Sequence, residues 1–217
     1  QNGKLSAEGL YILFNMISDL QDITGLNISV NATGKLVTDG KGETTGSAKA
    51  RDYVNGLIGA SNDIIVTNDN SKSTQGGGRG SVNINSDQID NNIAGIKNAG
   101  MKELTFGYGM TFLHESLHTA TGTFVMNPTA TTAFGDPSPS TPNELGATVT
   151  KVNEFRNELG LPERSQYFWQ QDATTGKTTM DWTSGGKTIT VTKTTMSTTD
   201  KQARRAIVNF LINPIIF

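Results

Sequence analysis

The residues best equipped for chemistry lie in one short stretch, Leu113-His114-Glu115-Ser116-Leu117-His118-Thr119, which holds both histidines of the chain. Four residues is just over one helical turn, so on a helix the two imidazoles share a face, with Cβ atoms about 5–6 Å apart. Two nitrogens so placed can both reach one metal ion at about 2.0–2.1 Å. Glu115 lies about 100° round the helix from His114. It faces the same cleft without being forced to coordinate the ion, as a general base acting on an activated water must. The plainer reading is a helix with two ordinary histidines. Against it, both of the chain's histidines fall in the H-E-x-x-H pattern, and Met110, Leu113, Leu117 and Thr121 give the segment an apolar helical flank, with Gly122 as its stop.

A catalytic zinc ion takes three protein ligands and keeps one position open. There is no third histidine and no cysteine, so the third ligand is sought among the carboxylates downstream: Asp136, Glu144, Glu154, Glu158, Glu163, Asp172 and Asp181. At 100° per residue, Glu154 points away from the apolar stripe of its helix and Glu158 falls outside it, which makes both solvated. Glu144 stands at the stripe's edge in the first turn and is the preferred ligand. Thr141-Pro142-Asn143-Glu144 equally fits a capping box, with Glu144 bonding back to the cap. Asp136 is second choice, in Phe134-Gly135-Asp136-Pro137, which also reads as a simple Asp-Pro turn.

The elements that must hold these groups follow from periodicity. Helix 6–21 has Ser6 as cap, the stripe Leu10, Leu13, Phe14, Ile17 and Leu20, and Gly25 beyond its end. A hairpin of strands 26–30 and 35–38 follows, then a helix 48–60 capped by Ser47. Residues 63–67 read as a buried strand. Residues 68–81, with Gly76-Gly77-Gly78-Arg79-Gly80, read as a flexible loop; a phosphate cradle would need a Gly-Lys-Ser/Thr ending that is missing. Val82-Asn83-Ile84-Asn85 alternates like an edge strand, and its free N–H and C=O groups could pair with a peptide substrate. Residues 88–99 form a weak helix, and Gly107-Tyr108-Gly109 breaks the chain before the H-E-x-x-H helix. The Thr- and Pro-rich segment 123–140 is a long loop of the kind that carries function. Helix 141–159 has Thr141 as cap, Pro142 at its first position and Gly160 past its end, with Leu145, Val149, Val152, Phe155 and Leu159 inward. Strands 167–170, 178–182 and 188–193 and a helix 200–212 complete the chain.

Composition narrows the classes. The 217 residues, 35% hydrophobic, are enough for one domain, here taken as 1–217 with a β-rich appendage at about 166–195 and a C-terminal helix at 199–213. Net charge is −2 with scattered basic residues, which argues against nucleic acid as partner. No apolar run nears the ~20 residues of a membrane span. Without cysteine, neither a disulfide framework nor a thiolate metal site exists. The sequence opens at Gln1, not Met, which allows for a removed signal peptide or a longer upstream region.

Beyond the H-E-x-x-H segment stand Asn143-Glu144-Leu145-Gly146 and Asn153-Glu154-Phe155-Arg156-Asn157-Glu158-Leu159-Gly160-Leu161-Pro162-Glu163-Arg164, running on to Tyr167. Across residues 100–168 the chain resembles the type III-secreted zinc proteases that cleave host signalling kinases, and related metallopeptidase domains at the C-termini of Rhs-type polymorphic toxins. It departs from them at Ser116 and Thr119, and its Thr-rich tail has no counterpart. The resemblance implies a zincin-like α+β fold, with the active helix, a small mixed sheet and further helices. It implies Zn²⁺ on His114, His118 and Glu144, with Glu115 as catalytic base and Tyr167 and Arg164 as donors to the oxyanion. With it goes the reading of a bacterial effector or toxin acting on a protein substrate, secreted or delivered into a target cell, with an immunity protein as candidate partner; neither the particular substrate nor the delivery route carries over from the family. Two other classes remain: a zinc amidase acting on cell-wall peptide, and a binding domain that merely keeps the motif.

Overall fold

In the computed structural model, which describes residues 5–42, 45–77, 80–138 and 144–212, the helix bearing the histidines lies against the first helix of the chain. That first helix, α1 (Ala7–Thr24), starts where Ser6 Oγ accepts the Gly9 N–H at 3.0 Å and closes at Gly25, left-handed at φ 70°. Its buried face differs from the expected stripe. Tyr11, Ile12, Met16, Leu20 and Ile23 are buried, whereas Phe14 is exposed and Leu10, Leu13 and Ile17 are half-buried. Tyr11 turns inward because its hydroxyl donates to buried Asp90 at 2.8 Å and its ring meets Tyr108 edge-on.

A hairpin of β1 (Leu26–Val30) and β2 (Leu36–Gly42) leads to α2 (Ala48–Ile58), which Ser47 caps through the Ala50 N–H. Next comes a three-stranded sheet built from β3 (Ile65–Asn68), β4 (Gln75–Gly77) and β5 (Ser81–Ile84) in the order β3-β5-β4. Two expectations are corrected here. β5 is the central strand, parallel to β3 and antiparallel to β4, and Val82 and Ile84 are wholly buried, so residues 82–85 offer no free edge. β3, read as buried, is an exposed edge with Ile65 63% accessible. The other edge of this sheet is β4, inside the segment read as loop. Glycines and a three-residue length hide it from periodicity. Gly78 and Arg79 lie outside the described residues.

After α3 (Ser86–Asn98) and a short 3-10 turn (Glu103–Phe106), α4 (Tyr108–Leu117) enters the core with nearly every residue buried. Its start is pressed against α1. A Cβ on Gly109 would stand 2.6 Å from Asp19 Cβ and 2.9 Å from Leu20 N. Gly107, the cap residue, has no side chain to offer. Asp19 on α1 replaces it, accepting the Gly109 N–H at 2.9 Å and placing a carboxyl at the positive end of the helix.

The sequence suggested one helix as far as Gly122, but α4 ends at Leu117. Hydroxyls explain the break. Ser116 Oγ donates to Leu113 O at 2.9 Å, Thr119 Oγ1 to Ser116 O at 2.7 Å and Thr123 Oγ1 to Leu117 O at 2.6 Å, competing with the helical ladder. Thr119 then caps a new helix, α5 (Ala120–Met126), through the Gly122 N–H. Gly122 is therefore no stop. It lets α5 cross the end of α4, where a Cβ would fall 2.0 Å from the Ser116 carbonyl oxygen.

Helix α6 (Gly146–Glu158) begins later than expected, with Gly146 at φ 65°; the expected cap Thr141 and first-turn Pro142 lie outside the described residues. Its Val149, Val152 and Phe155 enter the core as expected. The last sheet joins β6 (Glu163–Arg164), β8 (Thr178–Ser184) and β7 (Gln170–Gln171), with β9 (Lys187–Thr192) also on β8. Tyr167 is not in a strand but in the turn between β6 and β7. This sheet carries its own small cluster of Met180, Trp182 and Val191 over Ile96 and Met101, and α7 (Thr198–Ile212) ends the described chain against α1. The architecture is α+β, and no described helix is long and apolar enough to cross a membrane.

Candidate metal centre

His114 and His118 leave the last turn of α4 on one face, with Nε2 atoms 3.4 Å apart and rings set edge to face. Two neutral imidazoles do not turn their lone pairs on each other without a proton or a cation between them. Protonation of His114 is disfavoured: burial, then nearby Arg164 and His118, hold its pKa well below the ordinary histidine value. The spacing also suits a metal. Two ligands about 2.0–2.1 Å from one ion at the tetrahedral angle stand about 3.3–3.4 Å apart. His118 is further oriented by its Nδ1, which lies 2.7 Å from the Phe134 carbonyl; as that atom can only accept, Nδ1 carries the proton and Nε2 the lone pair. His114 Nδ1 is buried and has no hydrogen-bond partner among the described residues.

The carboxylate beside His118 is not the one the sequence favoured. Glu144 is exposed, precedes α6 and does not reach the histidines. Asp136, itself exposed, meets one of them: its Oδ1 is 3.3 Å from His118 Nε2, a second edge of tetrahedral length. The cause is a pinned loop. The Phe134 N–H donates to Thr123 Oγ1 at 2.9 Å while its carbonyl accepts from His118, so residue 136 is delivered beside the imidazole. Glu154 meets Lys49 and Lys151 instead, and Glu158 caps α2 by accepting from Ser47 Oγ and the Lys49 N–H.

Glu115 is close enough that one ligand atom from each of His114, Glu115 and His118 falls within 4.8 Å of the others. Its Oε2 accepts the Gly76 N–H of β4 at 2.7 Å. That bond was not legible beforehand, because nothing in a run of glycines says which one touches a helix. Here a Cβ on Gly76 would lie 1.9 Å from the Glu115 carbonyl oxygen, so the strand can rest on α4 only with glycine at this position. Burial pushes the Glu115 carboxyl up to about 8; Gly76 and Arg164 pull it down, and Asp136 adds to the rise.

Tyr167 closes the group. Its hydroxyl lies 3.0 Å from His118 Nε2 and 3.3 Å from His114 Nε2, and donates a short hydrogen bond to Asp136 Oδ1. Burial, then that bond, raises the phenol above its ordinary range, so it stays a donor. Arg164 is buried and does not meet the histidines by a hydrogen bond; its Nη2 donates to the Tyr167 carbonyl. The sequence thus singled out five residues that the structure gathers, His114, Glu115, His118, Tyr167 and Arg164, with Asp136 where Glu144 was preferred. No protein-family model matches the chain, and no characterised protein or solved structure matches it significantly.

Proposed function

We propose that this chain is a zinc-dependent metallopeptidase with a zincin-like arrangement, in which His114, His118 and Asp136 hold the ion. The observation that carries the reading is His118 Nε2, which stands at tetrahedral edge length from both His114 Nε2 and Asp136 Oδ1, with the half-buried Glu115 carboxylate within 4.8 Å of the two imidazoles. A bound zinc ion would polarise a scissile carbonyl and make a water acidic at neutral pH. Glu115, oriented through Oε2 by the Gly76 N–H, would take the proton of that water and pass it to the leaving amine. The Tyr167 hydroxyl would donate to the developing oxyanion. β4 has β5 on one side and no partner on the other among the described residues, so an extended peptide could add there rather than at Val82–Asn85. The effector or toxin role, delivery out of the producing cell and an immunity partner belong to the same proposal and rest on the Asn153–Arg164 resemblance.

The test is metal analysis joined to a peptide-library digest. Protein purified without chelator should carry about one zinc per chain, and His114→Ala or His118→Ala should lose it. Glu115→Gln should keep zinc and lose at least ~10²-fold in cleavage, the low end for general-base catalysis. Zinc without peptide cleavage turns the reading towards a different hydrolase, and a chain with no zinc towards a binding domain.

A further inference from the structure

Two arginines lie buried behind the metal centre, and neither forms a salt bridge among the described residues. Arg156 donates from Nε to Thr105 O at 3.1 Å and from Nη1 to Asn153 Oδ1 at 3.0 Å, with its guanidinium 5.1 Å over the Trp182 ring. Arg164 donates from Nη2 to the Tyr167 carbonyl, and its guanidinium lies 5.5 Å over Phe106 and 5.6 Å over Tyr167. Its Nε is buried without a hydrogen-bond partner among the described residues. Burying a guanidinium with no acid in ion-pair contact is costly. A chain needing only a filled core would place an apolar side chain there.

Asn153 on α6 shows what the arrangement achieves. Its Oδ1 accepts the Arg164 N–H at 3.0 Å and its Nδ2 donates to the Arg164 carbonyl at 2.9 Å. One side-chain amide thereby grips both backbone groups of Arg164, as a neighbouring strand would. On its other side β6 is paired to β8, with Arg164 opposite Trp182. Arg164, fixed from two directions, then holds Tyr167 by its carbonyl and along its ring. Tyr167 needs that hold, since it sits in a turn with no ladder of its own.

We propose that Asn153 and Arg164 are positioning residues that aim the Tyr167 hydroxyl at His114 and His118. The inference rests on the metal reading above. It gives Arg164 a task other than direct contact with the oxyanion, and it gives the Asn-x-x-Arg segment a physical purpose: Asn153 sets the backbone, Arg156 braces Asn153, and Arg164 transmits the position to Tyr167. The links at Asn153 are buried and the last, from Arg164 to Tyr167, is partly so, so a shift at Asn153 arrives at the hydroxyl.

The experiment is a double-mutant cycle read by zinc affinity, measured by competition with a chromophoric chelator, and by the visible spectrum of Co²⁺ in the site. Tyr167→Phe and Arg164→Lys should each weaken zinc by about 10-fold, the low end for groups that orient a metal site, and alter the Co²⁺ spectrum alike. If Arg164 acts through Tyr167, the double variant should bind zinc no worse than Tyr167→Phe alone. Losses that multiply overturn the proposal, as does a Tyr167→Phe protein unchanged in both readouts. Should Arg164→Lys fail to fold, Asn153→Asp takes its place in the cycle: it keeps the acceptor for Arg164 N–H and Arg156, replaces the bond to the Arg164 carbonyl by a clash of two acceptors, and adds a charge that Arg156 can pair. Wild-type protein that binds no zinc removes the metal reading and this inference together, whereas additive losses in a zinc-binding protein remove this inference alone.

Discussion

Gly76→Ala tests whether β4 rests on the active helix as described. The added Cβ would sit 1.9 Å from the Glu115 carbonyl oxygen, 2.9 Å from its carbonyl carbon and 2.9 Å from His118 Cβ. Ordinary contact begins at 3.4 Å, so the strand must retreat by about 3.4 − 1.9 = 1.5 Å. A retreat of that size stretches the 2.7 Å bond from Gly76 N–H to Glu115 Oε2 past any hydrogen-bonding distance. It also strains the pairing of Gly76 with Val82. Overpacking costs about 1–3 kcal/mol, and β4 is a short edge that can peel away, so roughly 2 kcal/mol of stability is expected to go. Activity should fall further, by about 10²-fold, because the base loses its orienting donor. Zinc affinity should fall far less than activity, since His114 lies within α4 and only the Cβ of His118, its C-cap, is touched. The control is Gly77→Ala, whose Cβ would meet Ser81 Oγ at 3.4 Å, an ordinary contact; it should change stability by no more than about 0.5 kcal/mol. Urea unfolding, zinc titration and peptide cleavage on the two variants decide the matter. A Gly76→Ala protein as stable and active as Gly77→Ala would refute the argument.

Zinc titration of Asp136→Ala and Glu144→Ala should show affinity collapsing in the first and unchanged in the second, because, of these two exposed acids, Asp136 is the one that lies 3.3 Å from His118 Nε2; the opposite result restores Glu144 as the ligand. Asp19→Asn should change how stability depends on pH. Burial, only partly offset by the Gly109 N–H, raises the Asp19 carboxyl to about 6, so between about pH 4 and 6 the folded chain holds a proton that the unfolded chain has released. That contribution is full below about pH 4 and is lost as pH rises through 6. Urea unfolding at pH 4 and pH 7.5 should therefore show wild type losing roughly 2 kcal/mol relative to Asp19→Asn, a figure reduced for partial exposure; a difference independent of pH would count against a buried carboxyl at the start of α4.

What could be read in advance was what depends on near neighbours in sequence. Ser6, Gly25 and Ser47 mark helix ends through bonds to residues three or four away, and they do so in the structure. The H-E-x-x-H spacing needs only one turn of helix to bring His114 and His118 together. Where reading failed, distant contacts decided the outcome. Tyr11 is inward because of Asp90, 79 residues on. β5 is central because β3 and β4 flank it, and no alternation of apolar residues reveals how many neighbours a strand has. Gly122 looked like a helix stop, yet its lack of a side chain serves the crossing of α4 and α5.

The third carboxylate shows the same division within the site. Helical geometry favoured Glu144 because a rigid element holds a ligand more accurately than a loop does. The premise is sound, but rigidity need not come from secondary structure. Thr123 and His118 each bond a backbone group of Phe134, two residues before Asp136, and so fix the loop at the point where accuracy matters. His118 thus faces the site with Nε2 and holds with Nδ1 the loop that brings the carboxylate to it. A substitution there would disturb both at once. For that reason His118→Ala should cost more zinc affinity than His114→Ala, whose Nδ1 supports nothing among the described residues.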